Sequence, residues 1–352
     1  MQAAGRMSQS SETPRPQEFD AAALRRRFGN AFAIKPHVFW LDMLTSAVVG
    51  WSAFAAAVSQ PFLSLEYWAC LLIAVLALLR GVLFIHELAH VRPSQLPGFE
   101  IAWHALLGTP LMVPSLMYVG SHNDHHKRDI FGTRVDPEYA PIPTYSRLQL
   151  LSFVLGVVVV PPLLPLRWGV AAPLSYFFPP LRRLIVERAS TLVINPEYRR
   201  PMPKGKQAER WVVQELASGI VFWLAVLAAW AGWLSWTVAL TWLLVTCGIV
   251  VINQVRTLAA HRYENDGGEV DSLGQLLDSV NLRGLPVLTA LIAPVGLRYH
   301  ALHHFLPAVP YHALGGLHRQ LSRELPSEAP YHRTEAPGIV PLVRRLWDRA
   351  PA

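Results

Sequence analysis

Apolar residues in this chain come mostly in long runs rather than in short alternation, and the runs have the length of membrane spans. The first covers about 39 to 59, where Pro61 closes it, and the second about 67 to 85. Each approaches the ~20 residues that cross ~30 Å of hydrocarbon. Arg80 falls near the inner end of the second, where a long cationic side chain can snorkel or pair. A later pair, 211–231 and 233–252, is joined by a short turn containing Gly232, and its second member has no charge in 20 residues. Two helical hairpins are predicted.

Two further apolar stretches are interrupted by proline. The stretch 101–120 contains Pro110 and Pro114, and 150–178 contains Pro161, Pro162 and Pro165. Proline removes a rung of the helical hydrogen-bond ladder. If the groups flanking these stretches share one site, neither stretch crosses once, so both are expected to be interfacial or re-entrant. The resulting fold class is an all-α integral membrane protein. It has about four transmembrane helices in two hairpins and a cytoplasmic helical cap that holds a histidine-ligated metal site. Residues 1–34 read as a polar N-terminal tail, 35–320 as the membrane domain and 321–352 as a C-terminal tail.

Composition supports this reading. Of 352 residues, 52% are hydrophobic and 16% charged, with a mean hydropathy of +0.28. Soluble domains carry about 25% charged residues, and 36 aromatic residues (12 Trp, 14 Phe, 10 Tyr) exclude disorder for most of the chain. The net charge of +7 reflects Lys and Arg on cytoplasmic segments rather than a nucleic-acid surface. Segment 181–210 alone holds eight Lys or Arg against three Glu. The polar start, with no apolar core after a basic stretch, is not a signal peptide. Location in a cell inner membrane follows, with both termini cytoplasmic. Cys70 and Cys247 lie inside apolar runs and read as packing residues.

The 14 histidines are not scattered. His86 and His90 follow the second run; His122, His125 and His126 follow the first interrupted stretch. His261 comes nine residues after the last run, and His300, His303 and His304 follow a short apolar run over 285–297. On a helix, positions three and four apart share a face, so each group aims its rings one way. Neutral imidazole suits Zn, Fe, Cu and Ni. One zinc needs three or four ligands, so nine imidazoles suffice for two metal ions and exceed the need of one. Glu87, Asp124, Asp129 and Asp278 are candidate carboxylates for orienting the ligating rings. His37, His104, His312, His318 and His332 lack partners at helical spacing; of these, His104 and His312 are open to a supporting role.

The order HxxxH (His86–His90), HxxHH (His122–His126) and HxxHH (His300–His304) resembles the membrane fatty acid desaturase and hydroxylase superfamily over roughly residues 35–320. The resemblance implies a non-haem di-iron centre that uses O2 and two external electrons per turnover. It also makes all nine box histidines metal ligands, with His261 as the extra ligand between the second and third boxes. In the animal acyl-CoA branch an Asn one turn before that histidine takes part; here that position is Thr257. The first box is also one residue shorter than in that branch.

The string His86-Glu87-x-x-His90 is also the HExxH signature of zinc proteases, but that mechanism leaves seven box histidines idle. A metal transporter is opposed by clusters at span ends rather than at the midplane. Within the superfamily, the run Ala-Ala-His-Arg-Tyr-Glu-Asn around His261 differs from the alkane-hydroxylase motif. An acyl desaturase is therefore expected, with a lipid hydroxylase as the alternative. With no fused haem or iron–sulfur motif, electrons are expected from a separate ferredoxin- or rubredoxin-like protein docked on the basic 181–210 segment. An anionic-lipid anchor is the other use of that segment. Replacing His125 or His303 by Ala should abolish activity while leaving membrane insertion intact. Retained activity in either variant, assayed in isolated membranes, would end the nine-ligand reading.

Overall fold

The computed structural model describes residues 20–351 apart from 193 and 266; 1–19, most of the expected N-terminal tail, lie outside the described residues. The rest of that tail is structured. Asp20 caps helix α1 (Ala21–Arg27) by accepting the Ala23 N–H, and Leu24 and Phe28 bury in a cluster that also contains Leu302, Phe305 and Leu314.

The first hairpin is α2 (Pro36–Ser59) and α3 (Leu65–Val82). Proline opens α2, where its missing N–H has no helical partner to lose. Ser64 caps α3 by accepting from the Tyr67 N–H. A Cβ on Gly50 would lie 2.5 Å from Leu78 Cγ, so only glycine lets the two helices approach this closely. Arg80 does not reach for the interface. It pairs bidentately with Asp42 across the hairpin, at 2.7 and 2.5 Å. Helix α4 (Phe84–His90) prolongs α3, so the second long apolar helix runs Leu65–His90 and delivers the first histidine pair at its end.

The stretch expected to be interrupted after this point is so. Helix α5 (Phe99–Trp103) passes into a π turn at His104–Gly108, where buried Trp103 donates its Nε1–H to the Gly81 carbonyl at 3.0 Å. Helix α6 (Val119–His125) then carries the second box.

The next stretch departs from expectation. Helix α7 (Arg147–Leu155) continues through a 3-10 turn (Gly156–Val159), α8 (Val160–Leu166), a π turn (Arg167–Ala171) and α9 (Ala172–Ser175) as one 29-residue apolar path. Pro161 and Pro162 fall in the first turn of α8 after a change of winding, and the π turn follows Pro165. The helix absorbs its prolines by changing pitch instead of breaking. Among the described residues five helices are thus long and apolar enough to cross a membrane, where about four were expected. They make the chain a multi-pass membrane protein.

Helix α10 (Pro179–Arg188) leads to the second predicted hairpin, α11 (Lys206–Trp230) and α12 (Trp236–Leu258). A buried ionic knot ties α11 to the π turn. Glu215 accepts from Arg167 Nη2 at 2.8 Å, from Arg182 Nη1 at 2.7 Å and from the Tyr176 hydroxyl at 2.7 Å.

The remainder caps one end of these helices. It comprises α13 (Ser272–Asp278), β1 (Asn281–Leu282), α14 (Pro286–Ile292), α15 (His300–Phe305), α16 (Tyr311–Glu324), β2 (Glu335–Ala336) and α17 (Ile339–Arg349). Apart from the two short strands, the named elements are helical. The expected C-terminal tail belongs to this cap. β2 pairs in parallel with β1, Tyr331, Ala336 and Ile339 are buried, and Asn281 Nδ2 donates to Thr334 Oγ1 at 2.8 Å.

Replacing Glu215 by Ala leaves the Arg167 guanidinium buried without its counter-charge. This should cost about 3–5 kcal/mol, read as a clear loss of thermal stability of the detergent-solubilised protein by size exclusion. An unchanged melting curve would show that the knot does not hold the fifth long helix.

Candidate metal centre

The histidines predicted from four distant parts of the chain meet at one site. His86 and His90 come from α4, His122 and His125 from α6 with His126 just beyond it, and His300, His303 and His304 from α15. His261 follows α12 and is fixed by a bridge to Ser279. The i, i+3 and i, i+4 spacing does what it does on any helix: it puts rings on one face, here the face turned inward.

The rings sort into two groups of four. His86, His90, His122 and His303 can each offer a ring nitrogen within 4.8 Å of the others, and so can His125, His261, His300 and His304. In the first group His90 Nε2 and His122 Nε2 are 3.0 Å apart. In the second, His300 Nε2 lies 3.0 Å from His261 Nε2 and 3.1 Å from His304 Nε2. His126 stands at the seam. Its Nε2 is 3.1 Å from both His122 Nε2 and His303 Nε2, while its ring stacks on His304 at 4.3 Å.

Several of the outer nitrogens face hydrogen-bonding groups. His122 Nδ1 lies 2.8 Å from Glu138 and 2.9 Å from the Tyr118 hydroxyl, and His125 Nδ1 lies 2.8 Å from Asp136. Asp136 is itself gripped by the Gly132 N–H at 2.7 Å and the Glu138 N–H at 2.8 Å. Gly132 has φ +69°, and a Cβ there would lie 2.3 Å from Asn265 Nδ2, so the turn needs glycine. His261 Nδ1 faces Ser279 Oγ at 3.2 Å and Asp278 at 3.6 Å. An Nδ1–H given to a carboxylate leaves the Nε2 lone pair pointing inward, the arrangement by which proteins orient metal-binding imidazole.

Burial, and then the charge of neighbouring rings, holds His122, His126, His300, His303 and His304 well below the ordinary histidine range. Burial also lowers His261. At His125 burial acts the same way, but the charge and hydrogen bond of Asp136 outweigh it and raise the group. Metal ligands must be deprotonated, and most of these rings are neutral at pH 7.

The donor set fits a pair of metal ions. Among the described residues, four ring nitrogens are buried without a hydrogen-bond partner: His86 Nε2 in the first group, and His125 Nε2, His300 Nδ1 and His304 Nδ1 in the second. Metal–nitrogen bonds of about 2.1 Å set neighbouring ligand atoms roughly 3.0–3.4 Å apart, which is the spacing seen here.

The carboxylates expected as supports divide. Glu87 lies 3.4 Å from His86 Nδ1 and accepts the Tyr311 N–H at 3.1 Å, and Asp278 faces His261. Asp124 instead binds Lys127 at 2.6 Å and the Tyr198 hydroxyl at 2.7 Å, and Asp129 is exposed. His104 contacts Ser115 Oγ and His312 accepts the Lys35 N–H, so neither supports a box ring. Sequence reasoning missed Asp136, Glu138 and Tyr118. The two carboxylates lie 11 and 16 residues beyond their histidines, past any helical spacing, and only the turn formed after Gly132 brings them back.

Comparison with known proteins agrees with this geometry. The family described as Fatty acid desaturase matches residues 63–335. The chain belongs to the fatty acid desaturase family. It is an oxidoreductase of the membrane desaturase and hydroxylase superfamily, which removes the zinc-protease and transporter readings. The chain is also similar to a ceramide hydroxylase of Caulobacter vibrioides (strain NA1000 / CB15N). Identity is 41% over 312 residues, covering 89% of this chain and 88% of the relative. That match overturns the acyl desaturase expected from the residues around His261 and favours the hydroxylase alternative. The neighbours of His261 bind Asp278 and nearby backbone carbonyls, and none of them lines the apolar cavity beside His86, so they carry little information about which lipid reaction follows.

Asp136→Asn keeps the shape of the side chain but removes the charge that orients His125. It should weaken metal retention by roughly 10–100-fold, measured by chelator competition on the purified protein. Retention equal to the parent would show that Asp136 supports the turn alone.

Proposed function

We propose that this chain is an O2-dependent lipid hydroxylase acting on an amide-linked sphingoid lipid of the ceramide class. The observation that carries this reading is the match to a ceramide hydroxylase along nearly the whole of both chains. The geometry supports it with an apolar cavity of about 200 Å³ that ends at His86 and Tyr118 and is walled by side chains such as Leu79, Val82, Leu111 and Leu164.

The nine histidines are proposed as ligands of two iron ions, with His126 at the seam. Iron bound there supplies the activation of O2 that an unactivated C–H bond demands. One lipid C–H, one O2, two electrons and two protons give one C–OH and one water. The cavity wall excludes bulk water and holds the alkyl chain against the His86 side of the centre. Glu138 and Asp136 keep the Nδ1 protons of His122 and His125 in place, so each ring presents Nε2 throughout.

Electrons are proposed to come from an acidic one-electron carrier of the ferredoxin or rubredoxin type. Support lies in a cleft that reaches half-buried His90 and is bordered by exposed Arg92, Lys206 and Arg210, the last two within the basic segment identified above. The same asymmetry of charge supports an orientation with this face cytoplasmic in a cell inner membrane.

Membranes containing the chain, supplied with ceramide, isotopically heavy O2 and a reduced ferredoxin, should yield a ceramide with one heavy oxygen added, seen by mass spectrometry. Metal analysis should give two irons per chain. A product lacking two hydrogens, or one zinc per chain, would overturn the proposal. Reversing the cleft charge with Lys206→Glu and Arg210→Glu together should raise the KM for the carrier severalfold without changing iron content. An unchanged KM would leave that segment to lipid anchoring.

A further inference from the structure

The cavity wall contributed by α12 changes character along its length. Thr246, Ile249 and Val250 face the cavity first, followed by Asn253, Gln254, Arg256 and Thr257. These positions form one helical stripe about 16 Å long at 1.5 Å per residue, apolar at one end and polar at the other. The polar end is the end nearest His261, and the same cavity meets His86, Tyr118 and Glu138. An apolar chain alone would be better served by a stripe that stayed apolar beside the metal centre.

Arg256 is the sharpest feature of the polar end. As a residue it is only 9% exposed, and it lines the cavity. Its hydrogen-bond partners among the described residues are neutral: Asn253 Oδ1 accepts from Nε at 3.1 Å, and Thr257 Oγ1 from Nη2 at 3.3 Å, while the Glu138 carboxylate lining the same cavity acts on it through space without a direct pair. Thr257 in turn donates to the Asn253 carbonyl at 2.9 Å, which fixes its hydroxyl on the helix. This contrasts with Arg167, buried in the same protein but paired with Glu215. A buried guanidinium has five donors and costs free energy unless acceptors meet them. Donors left facing a lipid cavity call for oxygen atoms carried in by the ligand.

We propose that Arg256, with Asn253 and Gln254 beside it, is the subsite for the oxygen-bearing head of the lipid. The subsite binds the amide carbonyl or hydroxyl groups and so sets which carbon is hydroxylated. The head lies at the metal end and the chain runs back along Val250, Ile249 and Thr246. The carbon presented for reaction is therefore one close to the amide, not one in mid-chain or at the far methyl. The inference rests on the hydroxylase reading for its substrate class. Arg256 is a positioning residue, since it holds the substrate without touching the reacting carbon.

Two measurements test it. The first is fragmentation mass spectrometry of the hydroxylated ceramide made by the parent protein. A hydroxyl on carbons next to the amide nitrogen or carbonyl is expected, and a mid-chain or terminal hydroxyl overturns the inference while leaving the hydroxylase reading standing. The second is anaerobic binding of a short-chain ceramide and of an alkane of equal length to the iron-loaded protein. Arg256→Gln should weaken ceramide binding roughly ten- to hundredfold, Arg256→Lys should recover part of it, and alkane binding and iron content should stay at the parent level. Equal ceramide binding by parent and Arg256→Gln, or loss of iron in Arg256→Gln, overturns the proposal. If the parent hydroxylates no ceramide, the hydroxylase reading falls, and the binding comparison still decides the role of Arg256.

Discussion

Burying imidazole in bulk sets the terms for everything else in this molecule. Seven of the nine box rings are buried, and His90 and His126 are half-buried. Each has two polar nitrogens that lose water on folding, and each disfavours protonation of its neighbours. The cost falls where one nitrogen of a ring has an acceptor or donor and the other faces something that takes a lone pair. The first condition is met for several rings by Glu138, Asp136, Asp278 and Ser279. The second is met by inward-facing Nε2 atoms suited to cations. The helices that cross the apolar region serve this arrangement, since α4 extends α3 and His261 comes directly after α12.

The membrane body and the cap therefore have different duties. The hairpin α2–α3 and the long helices α11 and α12 give a rigid apolar frame, fastened by Arg80–Asp42 on one side and by Arg167–Glu215–Arg182 on the other. The cap closes over the ends of that frame. Tyr311 links the two, since its N–H binds Glu87 beside His86 and its hydroxyl binds Asp42 at 3.0 Å. The first box is thus tied to the Arg80–Asp42 pair through a single residue of α16.

Much of this was legible in the sequence because it is local. Histidines at helical spacing announce a shared face wherever the helix ends up, and an uncharged run of 20 residues has few other uses. What was not legible is what depends on return paths. Asp136 and Glu138 reach their histidines only through the turn at Gly132, and the ends of the chain join the cap through Leu24, Phe28 and the β1–β2 pair. Prolines 161, 162 and 165 were read as breaks, although a change to 3-10 and π winding keeps the 147–175 path helical. The choice between desaturation and hydroxylation was read from the neighbours of His261. Those residues describe the metal pocket, whereas the outcome depends on how the cavity lined by α3, α8 and α12 seats a lipid.

The pairing of β1 with β2 also fixes an order of events in biosynthesis. Asn281 accepts the Leu302 N–H at 3.2 Å within the third box and donates to Thr334, 53 residues further along. While the ribosome is still making the last part of the chain, the first two boxes are already embedded and the third has no strut. The contacts that back the third box through Asn281 are complete only after residue 336 has emerged. A nascent chain stalled before that residue would lack them.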